Sequence, residues 1–183
     1  MKHKIMGILL ASVVAISSFV LAGCSGSEGR ASGDPSIEIE TIVANPNIEE
    51  YKSIEAEEYK KTERKDFRIV QIKAYISYSE KYSDMKVTAP KFKGNCGEVD
   101  GIQRYVSGTS KVTENDIDRV YEYNEEFLLY AKGMKNEDIK KLIEKNKLSI
   151  SYKNGDETEK QTINLARDES KDEEDDDRLT FVK

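Results

Sequence analysis

Val70-Gln71-Ile72-Lys73-Ala74-Tyr75-Ile76-Ser77-Tyr78 is the stretch that decides the fold. One parity carries Val70, Ile72, Ala74, Ile76 and Tyr78, and the other carries Gln71, Lys73, Tyr75 and Ser77. Unbroken alternation over this length predicts a β-strand with one side in a core and the other in water. Such a strand needs a second layer to cover its apolar side, so the flanking sequence has to supply partners.

Upstream, residues 36 to 43 set Ile37 and Ile39 against Glu38 and Glu40, a second half-buried strand, and Asn45-Pro46-Asn47 stops it. A short charged helix is expected after Asn47, within the ambiguous residues 48 to 65. Downstream, a weaker strand spans residues 85 to 89 and ends at Pro90. Residues 93 to 117, rich in Gly, Ser, Thr, Asn and Asp, predict a long loop with one short strand at Tyr105-Val106. The other reading of this region is a set of strands too short to see. A loop of that length would be the first place to look for function.

Residues 119 to 132 offer Val120, Tyr121 and Tyr123, then Phe127-Leu128-Leu129-Tyr130-Ala131, apolar on both parities. That pattern fits a central strand covered on both sides, ended by Gly133. Asn136 is expected to cap a short helix that buries Ile139, Leu142 and Ile143 and turns Lys140, Lys141 and Lys145 outward. Residues 147 to 152 alternate again, and Asn154-Gly155 predicts a type I′ hairpin pairing Lys153 with Asp156. That turn puts Ile163 and Leu165 on the side of Leu148 and Ile150. The acidic block at residues 168 to 177 is expected not to pack, and residues 179 to 182 to return as an edge strand.

Strands outnumber helices and lie close enough for antiparallel connections. The expected fold is a mainly β, antiparallel β-sandwich of immunoglobulin-like character with one short helix, the alternative being an α+β roll. The cysteine pair and core tryptophan of antibody-type domains are absent. The domain is placed at residues 35 to 167, with residues 168 to 183 as an acidic C-terminal tail.

Before this domain the chain opens with Lys2, His3 and Lys4, a continuous apolar run from Ile5 to Val20, and Leu21-Ala22-Gly23-Cys24. Charge, apolar run and small residues in this order make a secretory signal peptide over residues 1 to 23. The four closing residues Leu21, Ala22, Gly23 and Cys24 resemble the lipobox of bacterial lipoproteins. The resemblance implies a diacylglyceryl group on the Cys24 sulfur and cleavage after Gly23. It also implies a protein held on the outer face of the cell membrane by its lipid. Two acyl chains hold stably where one exchanges, at about 0.8 kcal/mol per buried methylene. The competing reading is an uncleaved transmembrane helix, but the run barely reaches a membrane span and lacks a basic stop-transfer flank. Residues 24 to 34, rich in Gly and Ser, follow as a flexible linker.

The 183-residue chain has a net charge of −6, and losing Lys2 and Lys4 with the signal makes it more acidic still. An acidic balance argues against nucleic acid as a partner. His3 is the single histidine and leaves with the signal, which removes histidine triads, histidine-ligated zinc and histidine bases from consideration. With Cys24 taken by lipid, Cys96 has no disulfide partner; its turn-rich surroundings allow a buried thiol or an exposed one, the buried state being common for free cysteine. Ser83-Asp84-Met85-Lys86 has the Ser-x-x-Lys spacing of some acyl enzymes, yet it straddles a strand start and no Lys-Thr-Gly accompanies it. The acidic block lacks the spacing of a calcium loop. No catalytic residue, metal site or cofactor is expected, and the protein is read as a non-enzyme.

Ten tyrosines and no tryptophan are the positive hint of a binding surface. Tyr75 on the polar side of the best strand, with Tyr82 and Tyr105 in or beside loops, are the candidates for protein or sugar contact. The alternative is that tyrosine fills half-buried sheet positions. The expected function is a lipid-anchored envelope protein binding another envelope component. Behind it stand an accessory subunit of a membrane complex and a carboxylate-based envelope hydrolase, the last requiring two carboxylates converging in one partly dry pocket.

Overall fold

The alternation centred on Ile72 forms a strand that starts three residues earlier than expected, at Phe67. The structure, a computed structural model, describes residues 35 to 166 and 178 to 182. The expected signal peptide, lipobox with Cys24 and linker, and the acidic block, lie outside the described residues. In chain order the elements are β1 (Ser36–Ala44), α1 (Ile48–Lys52), single 3-10 turns at Glu57–Tyr59 and Arg64–Asp66, β2 (Phe67–Ser77), β3 (Tyr82–Thr88), and α2 (Phe92–Asn95). They continue with β4 (Glu98–Val99), β5 (Ile102–Gln103), β6 (Tyr105–Asn115), β7 (Val120–Tyr130), α3 (Asn136–Lys145), β8 (Leu148–Asn154), β9 (Glu157–Ile163) and β10 (Arg178–Val182).

The strands form a five-stranded sheet in the order β10-β1-β2-β7-β6, a three-stranded sheet β3-β8-β9, and the small hairpin β4-β5. Every pairing is antiparallel. On the inner side of the large sheet, Ile39 and Val43 of β1, Val70, Ile72, Ala74 and Ile76 of β2, and Tyr121, Tyr123, Phe127 and Leu129 of β7 are all buried. They share one core with Leu148, Ile150 and Tyr152 of β8, with Ile163, and with Ile139 and Ile143 of α3. This is the mainly β, sandwich-like architecture expected from the alternation. Two polar contacts tie the layers together: the buried Thr41 Oγ1 donates to the Leu165 carbonyl at 2.6 Å, and the Tyr121 hydroxyl donates to the Met85 carbonyl at 2.8 Å.

β7 lies between β2 and β6, and its C-terminal end is covered on both sides as its sequence demanded. Phe127 and Leu129 enter the main core, while Tyr130 packs on the other side against Phe67 and Tyr59, with ring centroids 5.2 and 5.6 Å away. α1 follows Asn47, whose Oδ1 accepts from the Glu49 and Glu50 amides at 2.9 Å each. The Glu50 carboxylate reaches back to the Asn47 amide, closing a capping box.

Three expectations are corrected. Residues 93 to 117 are not a long loop: they carry α2, the β4-β5 hairpin and the eleven-residue β6. β6 is an edge strand with most of its residues exposed, so nothing selects apolar residues at alternate positions, and its strand conformation comes from pairing with β7. The hairpin after β8 turns through Gly155-Asp156, pairing Asn154 with Glu157. Gly155 takes a positive φ of 64° and Asp156 does not, the type II′ arrangement. Each strand has slipped by one residue, which changes the partners but preserves parity, so Ile163 still faces the core opposite Leu148. Asn136 is the first residue of α3 and not its cap; the Asp138 carboxylate accepts from the Lys135 amide at 2.9 Å. The edge strand expected at residues 179 to 182 is present as β10, which pairs with β1 from Ala44↔Arg178 to Glu40↔Val182. The acidic block is therefore bounded by structured chain on both sides.

Candidate functional site

The outer side of the large sheet is where the polar parity of β1, β2, β7 and β6 meets. The register builds it in rows. One row runs Glu38, Tyr75, Glu122, Thr113; the next runs Glu40, Lys73, Asn124, Lys111; a third runs Ile42, Gln71, Glu126, Thr109. Four carboxylates against two lysines make this face acidic. Its side chains are braced laterally: Gln71 Nε2 donates to Glu126 Oε2 at 2.7 Å and Asn124 Nδ2 donates to Glu122 Oε1 at 2.9 Å. Tyr75 is 44% exposed at the middle of the first row. Its hydroxyl pKa is raised by partial burial first, then by the charge of Glu122 and a hydrogen bond to it, and by Glu40. The phenol thus stays protonated, a donor beside carboxylate acceptors, with a ring face open to solvent.

The other two candidate tyrosines do not join it. Tyr82 is 4% exposed and packs edge-on against Tyr152 at 4.7 Å, so it is a core residue. The sequence alone sets it beside a loop, because alternation is visible only from Met85, whereas the strand begins at Tyr82. Tyr105 is half-buried and stacks on Phe127 at 5.5 Å with the ring planes 18° apart. These two fill sheet and core positions; Tyr75 alone of the three presents its ring on a broad polar face.

A second polar feature lies inside. Glu125 is the only buried carboxylate among the described residues, 5% exposed. In the ladder it sits between Ile72 and Ser110, and the Tyr123 hydroxyl lies 3.1 Å from its Oε2. Burial raises its pKa above the ordinary 4.5, and hydrogen bonds from Ser110 and Tyr123 partly offset that. Cys96 and Tyr105 lie close enough to feel its charge, and each is pushed up to about 12, chiefly by burial. Glu114 shares the inner side of β6 but faces Tyr121, four residues along the strand from Ser110, roughly 13 Å by strand rise. Carboxylates that work as a hydrolytic pair stand about 5 to 9.5 Å apart. Among the described residues no cluster of His, Cys, Asp or Glu has the grouping of a metal site. Ser83 and Lys86 are both exposed on β3, where Asp84 between them pairs with Lys153 at 2.6 Å.

Two predictions arise here. Because the folded pKa of Glu125 lies above its unfolded value, its contribution to stability is complete below the unfolded pKa and is lost as pH rises through the folded one. Cys96 and Tyr105 do not ionise in that window. Glu125→Gln keeps the partners and removes the charge, so denaturant titrations at a series of pH values should show a variant more stable by about 1 kcal/mol at neutral pH. The difference should shrink to nothing in acid; a pH-independent difference would contradict the assignment. The free thiol of Cys96 is buried. It should resist a thiol reagent at pH 8 in the native protein and react once when denaturant is added.

No family model, no curated protein and no solved structure matches this chain.

Proposed function

We propose that this protein is a lipid-anchored lipoprotein of the cell envelope whose extracytoplasmic β domain binds another envelope protein through the outer face of its large sheet. The observation that carries the reading is the Leu21-Ala22-Gly23-Cys24 sequence closing the only long apolar run of the chain. It fixes what the domain can meet: components outside the membrane and close to it. The contact face is supported by the row Glu38, Tyr75, Glu122, an exposed phenol among carboxylates, which suits a partner presenting lysine or arginine. The role needs no catalytic group.

The test is a pull-down from detergent-solubilised envelopes with the native lipoprotein, a Cys24→Ala variant and a Tyr75→Ala variant, with mass spectrometry of the mature N-terminus and of the retained proteins. A diacylated Cys24 is expected, with loss of membrane fractionation in Cys24→Ala. One enriched partner should be weakened by Tyr75→Ala by about 2 kcal/mol, roughly thirtyfold. An unmodified Cys24 overturns the anchor, and a lipidated protein that retains nothing overturns the protein-binding role.

A further inference from the structure

The outer face of the three-stranded sheet has the opposite charge to that of the large one. The pairing of β3, β8 and β9 builds it in three rows: Ser83, Lys153, Thr158; Lys86, Ser151, Lys160; and Thr88, Ser149, Thr162. On β8 these positions alternate with Leu148, Ile150 and Tyr152, which enter the core. All of them except the half-buried Ser151 are exposed, and no row carries a carboxylate. Lysine and hydroxyl side chains all donate hydrogen bonds, the set that suits phosphate oxygens.

Carboxylates gather at one end of this face. Asp84 pairs with Lys153 at 2.6 Å, and Asp156 and Glu157 belong to the β8-β9 hairpin. At the other end lysines extend it. Lys147 comes two residues before Ser149 and Lys91 three after Thr88; because β3 and β8 are antiparallel, both lie beyond the Thr88, Ser149, Thr162 row. Lys86, Lys91, Lys147 and Lys160 are exposed and pair with no acid among the described residues. Lys86 and Lys160 stand on either side of Ser151, two strand spacings or roughly 10 Å apart, so these cations share one patch. Pro35, through which the segment from Cys24 joins the domain, shares a half-open groove with Thr162 and Asn164 at this same end.

We propose that the outer face of the three-stranded sheet rests on anionic phospholipid headgroups, with Lys86, Lys91, Lys147 and Lys160 meeting the lipid phosphates. The inference rests on the proposed anchor at Cys24 and adds which way the domain faces. One lysine near an anionic surface is weakly attracted, but several in one patch act together, and a lipid anchor supplies the proximity that a free domain lacks. The outer face of the large sheet, with Glu38, Glu40, Glu122 and Glu126, lies on the far side of the shared core. The surface that attracts the lysines repels these carboxylates, so both interactions select one orientation. In that orientation Tyr75 is turned away from the membrane, towards a protein partner.

The experiment reconstitutes the native lipoprotein into vesicles of phosphatidylcholine alone and of phosphatidylcholine mixed with phosphatidylglycerol, and follows acylation of each lysine by a water-soluble reagent with mass spectrometry. Lys86, Lys91, Lys147 and Lys160 should react at least about fivefold more slowly in the anionic vesicles. Lys73 and Lys111, on the acidic face, should react equally in both. High salt should remove the protection. The double variant Lys86→Glu, Lys160→Glu, at two exposed sites, should lose it at Lys91 and Lys147, with a thermal melt confirming the fold; Lys73→Glu should keep it. Equal labelling of the four lysines in the two vesicles overturns the inference, whether the face is open in both or covered in both by a second copy or by the acidic block. Protection that survives high salt also overturns it. Flotation with the phosphatidylcholine vesicles reports the anchor separately, since a neutral surface offers the lysines no attraction. A protein that floats there without anionic-dependent protection keeps the anchor and overturns the face; one that floats only with anionic vesicles, with the four lysines protected, keeps the face and overturns the anchor.

Discussion

Ile72→Asp is expected to abolish the cooperative folded state. Ile72 is fully buried at the centre of β2, between Thr41 on one side and Glu125 on the other. The change removes an apolar side chain contributing about 2 kcal/mol and leaves a carboxylate with no cationic partner in its place. It also sets that carboxylate beside the one buried acid of this core, so both must compete for protons in the same dry space. The combined cost is on the order of 5 kcal/mol or more, comparable with the whole stability of an ordinary domain. Circular dichroism should show no cooperative melt at neutral pH, and size-exclusion chromatography should show an expanded or aggregated species. Ile72→Val, which deletes one methylene, should lose only about 1 kcal/mol and melt normally. A cooperative melt for Ile72→Asp within a few degrees of the parent would contradict the position of this residue in the core.

The second large effect is expected at Gly108. A Cβ placed there would stand 2.5 Å from the Glu126 carbonyl oxygen, 2.5 Å from Phe127 Cβ and 2.6 Å from the Tyr105 hydroxyl. The first two are held by the β7 backbone and cannot yield. The Tyr105 ring lies on Phe127, the residue paired with Gly108 across the ladder, so an aromatic side chain covers the space that the glycine leaves. Gly108→Val would push β6 off β7 and lift Tyr105 from Phe127, costing about 3 kcal/mol. For a chain of this size that corresponds to a melting temperature lower by about 10 °C. The loss should be local: hydrogen exchange should quicken in β6 before it changes in β1 and β2. Uniform loss of protection across the large sheet would show that β6 is not a separable edge.

The contrast between these two sites mirrors what could be read without coordinates. Ile72 announces its burial, because its neighbours two residues away on either side are apolar and the residues between are not. Gly108 announces nothing, lying in Ser107-Gly108-Thr109-Ser110, which reads as loop beyond the short strand expected at Tyr105-Val106. Its role depends on Phe127 and Tyr105, neither of which meets it through sequence spacing alone. The register break between Tyr105 and Ser107 further hides the strand, since a bulge breaks the period that would mark it. Glu125 is hidden in a similar way. Glu-Glu at 125 and 126 gives no sign of which residue is inside, and only the parity set by Tyr123 and Phe127 turns Glu125 inward and Glu126 outward.

Of the candidate site, Tyr75 was legible because it sits on the polar parity of an unambiguous strand. Tyr82 was not, because its ring faces Tyr152 from another strand of the second sheet, and that pairing is a long-range event.

By itself, then, the sequence determined the strands that must bury one side, the helices after Asn47 and Lys135, the mainly β architecture and the expectation of a lipid anchor at Cys24. Each of these is written in local periodicity, in turn residues or in a contiguous motif. Only the tertiary structure decided that residues 105 to 115 form a strand, which residues close the hairpin and which tyrosines face water. The physical reason is that these depend on pairing partners far away in the chain. A polar edge strand takes its conformation from its neighbour's hydrogen-bonding groups, and those leave no mark in its own side chains.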